Sequence, residues 1–173
     1  MNIKILSVED DKLVDALIRK GNPVELPSMQ EGWRFNFRKN LEKLSNAFPY
    51  VLVTQKTPEM IEGCLIFQMK DKIKPYMAFV EIAPHNRAHP KRYENVAGCL
   101  IAFAFRERLM KGKDDYMGYL LFDVQEETEE DQNKLIKLYR EKYGALHIVD
   151  TTLVIADERG EALIERYLTR KTG

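Results

Sequence analysis

Phe79-Val80-Glu81-Ile82-Ala83-Pro84 and, after a polar connection, Arg92-Tyr93-Glu94-Asn95-Val96-Ala97-Gly98-Cys99-Leu100 form the most informative passage of this chain. The first run reads as a strand ended by proline. The second enters a helix whose apolar residues, Ala97, Leu100, Ile101, Ala104 and Phe105, recur at helical spacing. A strand that leads through small and polar residues into a helix start leaves free N–H groups at the positive end of the helix dipole, where a phosphate or pyrophosphate is favoured.

Working outward, Ile3–Leu6 alternates as a first strand. Ser7-Val8-Glu9-Asp10 fits a capping box, and Leu13, Val14, Leu17 and Ile18 then share one helical face up to the stop at Gly21. A second helix is expected through Trp33, Phe37, Leu41, Leu44 and Phe48, ended by Pro49. Three apolar runs follow, at 50–54, 61–69 and 76–83, with short polar connections that favour an antiparallel meander. Past the central helix, which Gly112 closes, come a strand at 117–124, a helix at 129–143, a tight hairpin of 146–149 with 152–156, and a terminal helix carrying Leu163, Ile164, Tyr167 and Leu168. The order β-α-α-β-β-β-α-β-α-β-β-α predicts an α/β (α+β) fold in one domain, residues 1–173, with a mixed central sheet of about seven strands flanked by helices. A parallel crossover is expected over 76–124 and an antiparallel far edge at the closing hairpin.

Composition narrows the function. The chain has 173 residues, 45% hydrophobic and 31% charged, as a globular protein has. Lys+Arg and Asp+Glu are both 27, so nucleic acid is not the expected main partner. Cys64 and Cys99 stand inside apolar runs, as free thiols of a reducing compartment do. With no signal-like start and no spanning apolar stretch, a cytoplasmic protein without membrane contact is expected.

The passage at 79–100 resembles the GNAT superfamily of N-acetyltransferases. Its signature Q/R-x-x-G-x-G/A, which binds the pyrophosphate of acyl-coenzyme A, is similar to Arg92-x-x-Asn95-x-Ala97, with asparagine where glycine is usual. Asparagine tolerates a left-handed backbone better than other non-glycine residues. Val80-Glu81-Ile82-Ala83-Pro84 looks like the family's strand ending in V-x-P, and the 85–91 loop is longer than the family's. Downstream, Asn133, Leu138-Tyr139 and Lys142-Tyr143-Gly144 resemble the asparagine-to-L-Y-x-K-x-G helix, offset by a residue. The element order follows the family over residues 2–156, and the terminal helix is an addition.

This resemblance implies an N-acyltransferase that moves an acetyl group from acetyl-CoA, or another acyl-CoA, to an amine by direct attack in a ternary complex. Tyr139 takes the place of the general acid that protonates the departing thiol, and Glu81 is the candidate base acting through water. Cofactor contacts are implied for Ile82 and Ala83 through their main chain, for Arg92, Tyr93, Glu94, Asn95, Val96 and Ala97, and for Asn133. Trp33, Phe37, His85 and Asn86 are candidates for the acceptor side. Bland alternatives stand beside these. Tyr139, Trp33 and Phe37 also fit a core, and Glu81 and Arg92 also fit a surface. The acidic run Glu126–Asp131 reads either as a solvated helix start or as a rim attracting a cationic amine. His85 and His89 have metal-pair spacing but no third ligand, so no metal is expected. The acceptor is a small-molecule or protein amine, with a charged tRNA as a further option. The final hairpin offers a homodimer surface. The alternative to an enzyme is a non-catalytic binding module on the same fold.

Overall fold

A computed structural model describes residues 1–111 and 118–170; the expected helix stop at Gly112 and strand start at Met117 lie outside the described residues. One nine-stranded sheet runs through it, two strands more than expected. Its strands are β1 (Asn2–Ser7), β2 (Lys12–Lys20), β3 (Ala47–Thr54), β4 (Ile61–Lys70), β5 (Lys74–Ile82), β6 (Tyr93–Glu94), β7 (Tyr119–Asp123), β8 (Leu146–Val149) and β9 (Thr152–Ala156). Their order across the sheet is β6-β1-β2-β3-β4-β5-β7-β9-β8. The helices are α1 (Phe37–Lys43), α2 (Val96–Lys111), α3 (Glu129–Tyr143) and α4 (Asp157–Leu168).

The first strand excess comes from a misread period. Ser7 Oγ does donate to Asp10 Oδ2 at 3.2 Å, as a helix start would suggest. But Asp11 has φ of 49°, which ends any right-handed turn, and the chain folds back as a hairpin pairing Leu6 with Leu13 and Ile3 with Ala16. Ala16 and Ile18 then point inward on alternate positions, with 0% and 1% exposure. In nine residues Val14 and Ile18, four apart, satisfy both periods, and cross-strand pairing decides. The second excess strand is β6, only two residues long and paired with Leu6 and Ser7. The helix expected through Phe48 is likewise shorter. Asn36 caps α1 by accepting from Lys39 N–H (3.0 Å), and Asn46 at φ 50° turns the chain into β3. Pro49 therefore stands inside a strand rather than after a helix, beside Gly21 just past the end of β2, where only one ladder donor is missing.

The rest follows expectation. β3, β4 and β5 form the antiparallel meander, β5–α2–β7 is a parallel crossover, and β7, β9 and β8 close the far edge antiparallel. Thr128 caps α3 by accepting from Asp131 N–H at 3.1 Å. Thr128→Ala is expected to cost about 1 kcal/mol, read as a fall of about 2–4 °C in Tm. α2 lies over the sheet, its residues from Val96 to Phe105 mostly buried, while Trp33, Phe37, Cys64 and Ile66 build a second apolar cluster on the other face. Among the described residues no helix is long and apolar enough to cross a membrane.

Two irregularities shape the site. Ala78 is an extra residue in β5, bulged where Ile66 pairs Phe79 and Phe67 pairs Met77. β5 and β7 then pair only at Tyr76 and Leu121, so the two parallel strands part towards their C-terminal ends. Glu62 is the corresponding extra residue of β4.

Candidate active site at the end of β5

At the start of α2, Asn95 has φ of 69°, the left-handed conformation that a glycine would otherwise supply. The first helical bond runs from Cys99 N–H to Asn95 C=O (2.9 Å), leaving the N–H groups of Val96, Ala97 and Gly98 ahead of it. The turn is anchored from outside: Asn86 Oδ1 accepts from Tyr93 N–H (2.9 Å), and Val8 N–H donates to Arg92 C=O (3.1 Å). A cavity of about 150 Å³ opens there, lined among others by Ile82, Lys91, Asn95, Ala97, Lys142 and Tyr167.

Tyr167 reaches this place from the added helix α4. Its ring packs on Gly98 so closely that a Cβ there would lie 2.4 Å from Cε1, so no other residue fits. The Tyr167 hydroxyl is buried and has no partner among the described residues. A lone buried donor beside a helix start and two lysines suits an anion. Arg92, the expected phosphate contact, is not part of this wall. Its guanidinium turns to Met60 Sδ (3.1 Å) and lies 5.5 Å from the Tyr93 ring centroid. The cations at the cavity are Lys91 and Lys142 instead. Asn133 is exposed on α3 and faces a different groove, whereas Tyr93, Glu94 and Val96 do line the cavity, Glu94 with an exposed carboxylate and Val96 from the core at 2% exposure. Ala83 N–H donates to Glu62 C=O (2.9 Å) and Ile82 C=O accepts from Arg87 Nε (3.3 Å), so those two main-chain groups already have partners.

Around the parted ends of β5 and β7 a second cluster gathers. Glu81, 7% exposed, accepts from the main-chain N–H of Arg34 (2.7 Å) and of Phe35 (3.1 Å) and meets Arg87 at 2.7 Å. With three donors on its two oxygens, Glu81 is a clamp on the 34–35 segment rather than the free base expected of it. Arg34 extends across to Glu126 (2.6 Å), which holds its guanidinium pKa above the ordinary value. Glu126, which begins the acidic run, is thus an ion-pair partner rather than a solvated helix residue. Tyr139 packs on Phe122, ring centroids 4.8 Å apart, and burial first, then the Glu126 charge, push its phenol up to about 12.

Trp33 and Phe37 are 7% and 0% exposed and pack edge-to-face in the second cluster. Phe37 is thus out of a substrate's reach, and the ring that is partly exposed here is Phe35. His85 and Asn86 turn towards Glu62, whose Oε2 lies 2.5 Å from His85 Nε2 and accepts from Asn86 Nδ2 at 2.9 Å. Glu62 is 0% exposed and its Oε1 has no partner among the described residues. Sequence reasoning passed over Glu62; a lone carboxylate within the run Ile61-Glu62-Gly63-Cys64 was the available signal. Both thiols are buried, which pushes Cys99 up to about 12 and Cys64 well above its ordinary value, against any nucleophilic role.

No family model and no curated protein matches the sequence. Solved structures match the fold. The KacTA–DNA complex superposes with a TM-score of 0.56 at 12% identity, covering 87% of this chain and 99% of that one. AtaTR bound with AcCoA gives 0.56 at 11%, covering 86% and 98%. Ard1 from Thermoplasma volcanium gives 0.54 at 13%, covering 82% and 97%. These neighbours are GNAT acetyltransferases.

The chain has the GNAT fold.

Within the GNAT fold of this protein, the nine-stranded sheet parts between β5 and β7, and α2 begins beside that opening. At 11–13% identity the likeness is one of backbone, and the side chains above are described from this chain alone.

Proposed function

We propose that this protein is an acyl-CoA-dependent N-acyltransferase of the reducing cytoplasm that transfers an acetyl group to a small-molecule or protein amine. The observation that carries the reading is the cradle at the α2 start: left-handed Asn95, three free main-chain N–H groups, Lys91 and Lys142, and the unpartnered Tyr167 hydroxyl. Two cations stand against the single carboxylate of Glu94 in this lining, and the main-chain donors add to the balance that favours a diphosphate. The acyl-CoA would supply a thioester carbonyl and a thiolate leaving group. In direct transfer the amine nitrogen bonds to the acyl carbon, the C–S bond breaks, and the thiolate takes the Tyr139 phenol proton. With the phenol at about 12 and a thiol near pKa 8.5 this transfer is uphill by about three units, so the proton moves only as charge builds on sulfur, and the tyrosinate then regains a proton from water. The amine's proton leaves to water. Glu81 acts as a positioning residue, holding Arg34 and Phe35 at the acceptor mouth, and Glu126 fixes the Arg34 guanidinium there.

A second reading, a non-catalytic binding module, draws on the cavity itself. Its volume of about 150 Å³ is below the roughly 300 Å³ at which small-molecule sites begin. Calorimetric titration with acetyl-CoA decides. The enzyme reading expects micromolar binding, weakened about ten-fold or more by Lys91→Glu and less than about three-fold by Arg92→Glu. A folded wild-type protein that does not bind leaves the module.

A further inference from the structure

On the far side of Lys142 and Tyr143 lies a larger groove of about 920 Å³, walled by α3, the turn at Gly144 and α4. Five cations line it: Lys137, Arg140, Lys142, Arg159 and Arg166, against the single carboxylate of Glu141. Glu141 is 3.9 Å from Lys137, and the other four cations make no ion pair among the described residues. In a chain of zero formal charge this is a local concentration of unspent positive charge.

Helix ends explain part of it, since Arg140, Lys142 and Arg166 stand in last turns, where cations are favoured. They do not explain Arg159. It stands in the first turn of α4, where a cation is disfavoured, and its side chain lies across Gly144, 3.0 Å from where a Cβ would stand. Gly144 at φ 69° leaves the space that aims it. Lys142 and Arg166 are also steadied, over the rings of Tyr143 (5.6 Å) and Tyr167 (5.1 Å). Arg159 and Arg166 are seven residues apart on one helix, about 10 Å along its axis, further than one phosphate reaches.

We propose that this groove is a second ligand site, separate from the α2 cradle, for a nucleotide-sized ligand carrying several phosphates. Guanidinium groups from two helices give the forked donors that phosphate oxygens take in pairs. The volume is that of a small-molecule site, and the cations converge on a concavity rather than tracking across a face, as a long polyanion would need. The site does not depend on acyltransfer, and its test does not use it.

The probe is inorganic tripolyphosphate, titrated calorimetrically into the full chain at low and physiological salt. The expected result is saturable binding that weakens with salt and survives Lys91→Glu, which removes a cradle cation and leaves the groove intact. The double variant Arg159→Gln/Arg166→Gln should lose about ten-fold or more in affinity, and Arg140→Gln, on the other wall, should lose part of it. Tm and the response to acetyl-CoA should not change in either. Absence of binding by the wild-type protein overturns the proposal, and so does equal binding by the double variant with an unchanged Tm. RNA oligonucleotides form the second arm. Affinity that rises with their length and exceeds that of tripolyphosphate overturns the nucleotide-sized ligand in favour of a polymer.

Discussion

Gly160→Ala is expected to destabilise the protein by about 2 kcal/mol or more, although alanine is the better helix former. The added Cβ would stand 2.0–2.1 Å from three atoms of the Phe105 ring. Phe105 is 0% exposed, in the core where α2 meets α4, so the ring has nowhere to go and the two helices must separate. The same approach lets the Asp157 carboxylate reach Arg108 at 2.5 Å, so separation also loosens that ion pair. A fall in Tm of about 4–8 °C is the expected reading. The double variant Gly160→Ala/Phe105→Leu should recover part of the loss, because the smaller side chain vacates the contested space. A Tm for the single variant within a degree of the parent would show that α2 and α4 are not locked at this contact.

Tyr139→Phe is the second large effect. If the phenol protonates the leaving thiolate, removing its oxygen should lower kcat about 100-fold or more. The acetyl-CoA dissociation constant should stay the same, because the ring keeps its place on Phe122. Equal kcat in the two proteins would remove Tyr139 from the chemistry. The pH profile gives a separate check. With its phenol held up to about 12 by burial and by Glu126, Tyr139 remains protonated throughout the neutral and mildly alkaline range. Activity should show no loss near pH 10, where an ordinary tyrosine ionises. The sign for stability follows the same shift. The unfolded chain releases this proton at lower pH than the folded one, so Tyr139 disfavours the folded state as pH climbs from about 10 towards 12 and is neutral below that.

The site was legible in unequal parts. Asn95 was recognisable because a left-handed residue at a helix start restricts the choice of side chain, and that restriction is local. Arg92 and Lys91 are neighbours in the chain, and nothing local says which of them faces the cavity. That follows from the pairing of β6 with β1 and from Asn86 gripping the Tyr93 amide. Glu81 was noticed for its position on β5, but its burden of three donors comes from Arg34, Phe35 and Arg87, and the first two are more than forty positions away. Tyr167 could not be assigned at all, because its meeting with Gly98 joins two helices 69 residues apart.

By itself the amino-acid sequence determined those elements whose periodicity is long or whose ends are chemically marked: the meander of β3 to β5, α2, α3 with its Thr128 cap, and the closing hairpin. Helical and strand periods separate clearly over ten or more residues, and caps and turns act within a few positions. Only the tertiary structure decided β2, where nine residues fit either period until β1 and β3 supply partners on both sides. It alone set the parting of β5 from β7, because a bulge is one residue's mismatch between two strands and is not written in either strand alone. And it alone brought α4 onto α2, Tyr167 against Gly98 and Phe105 against Gly160, since close helix contact depends on what stands across the gap.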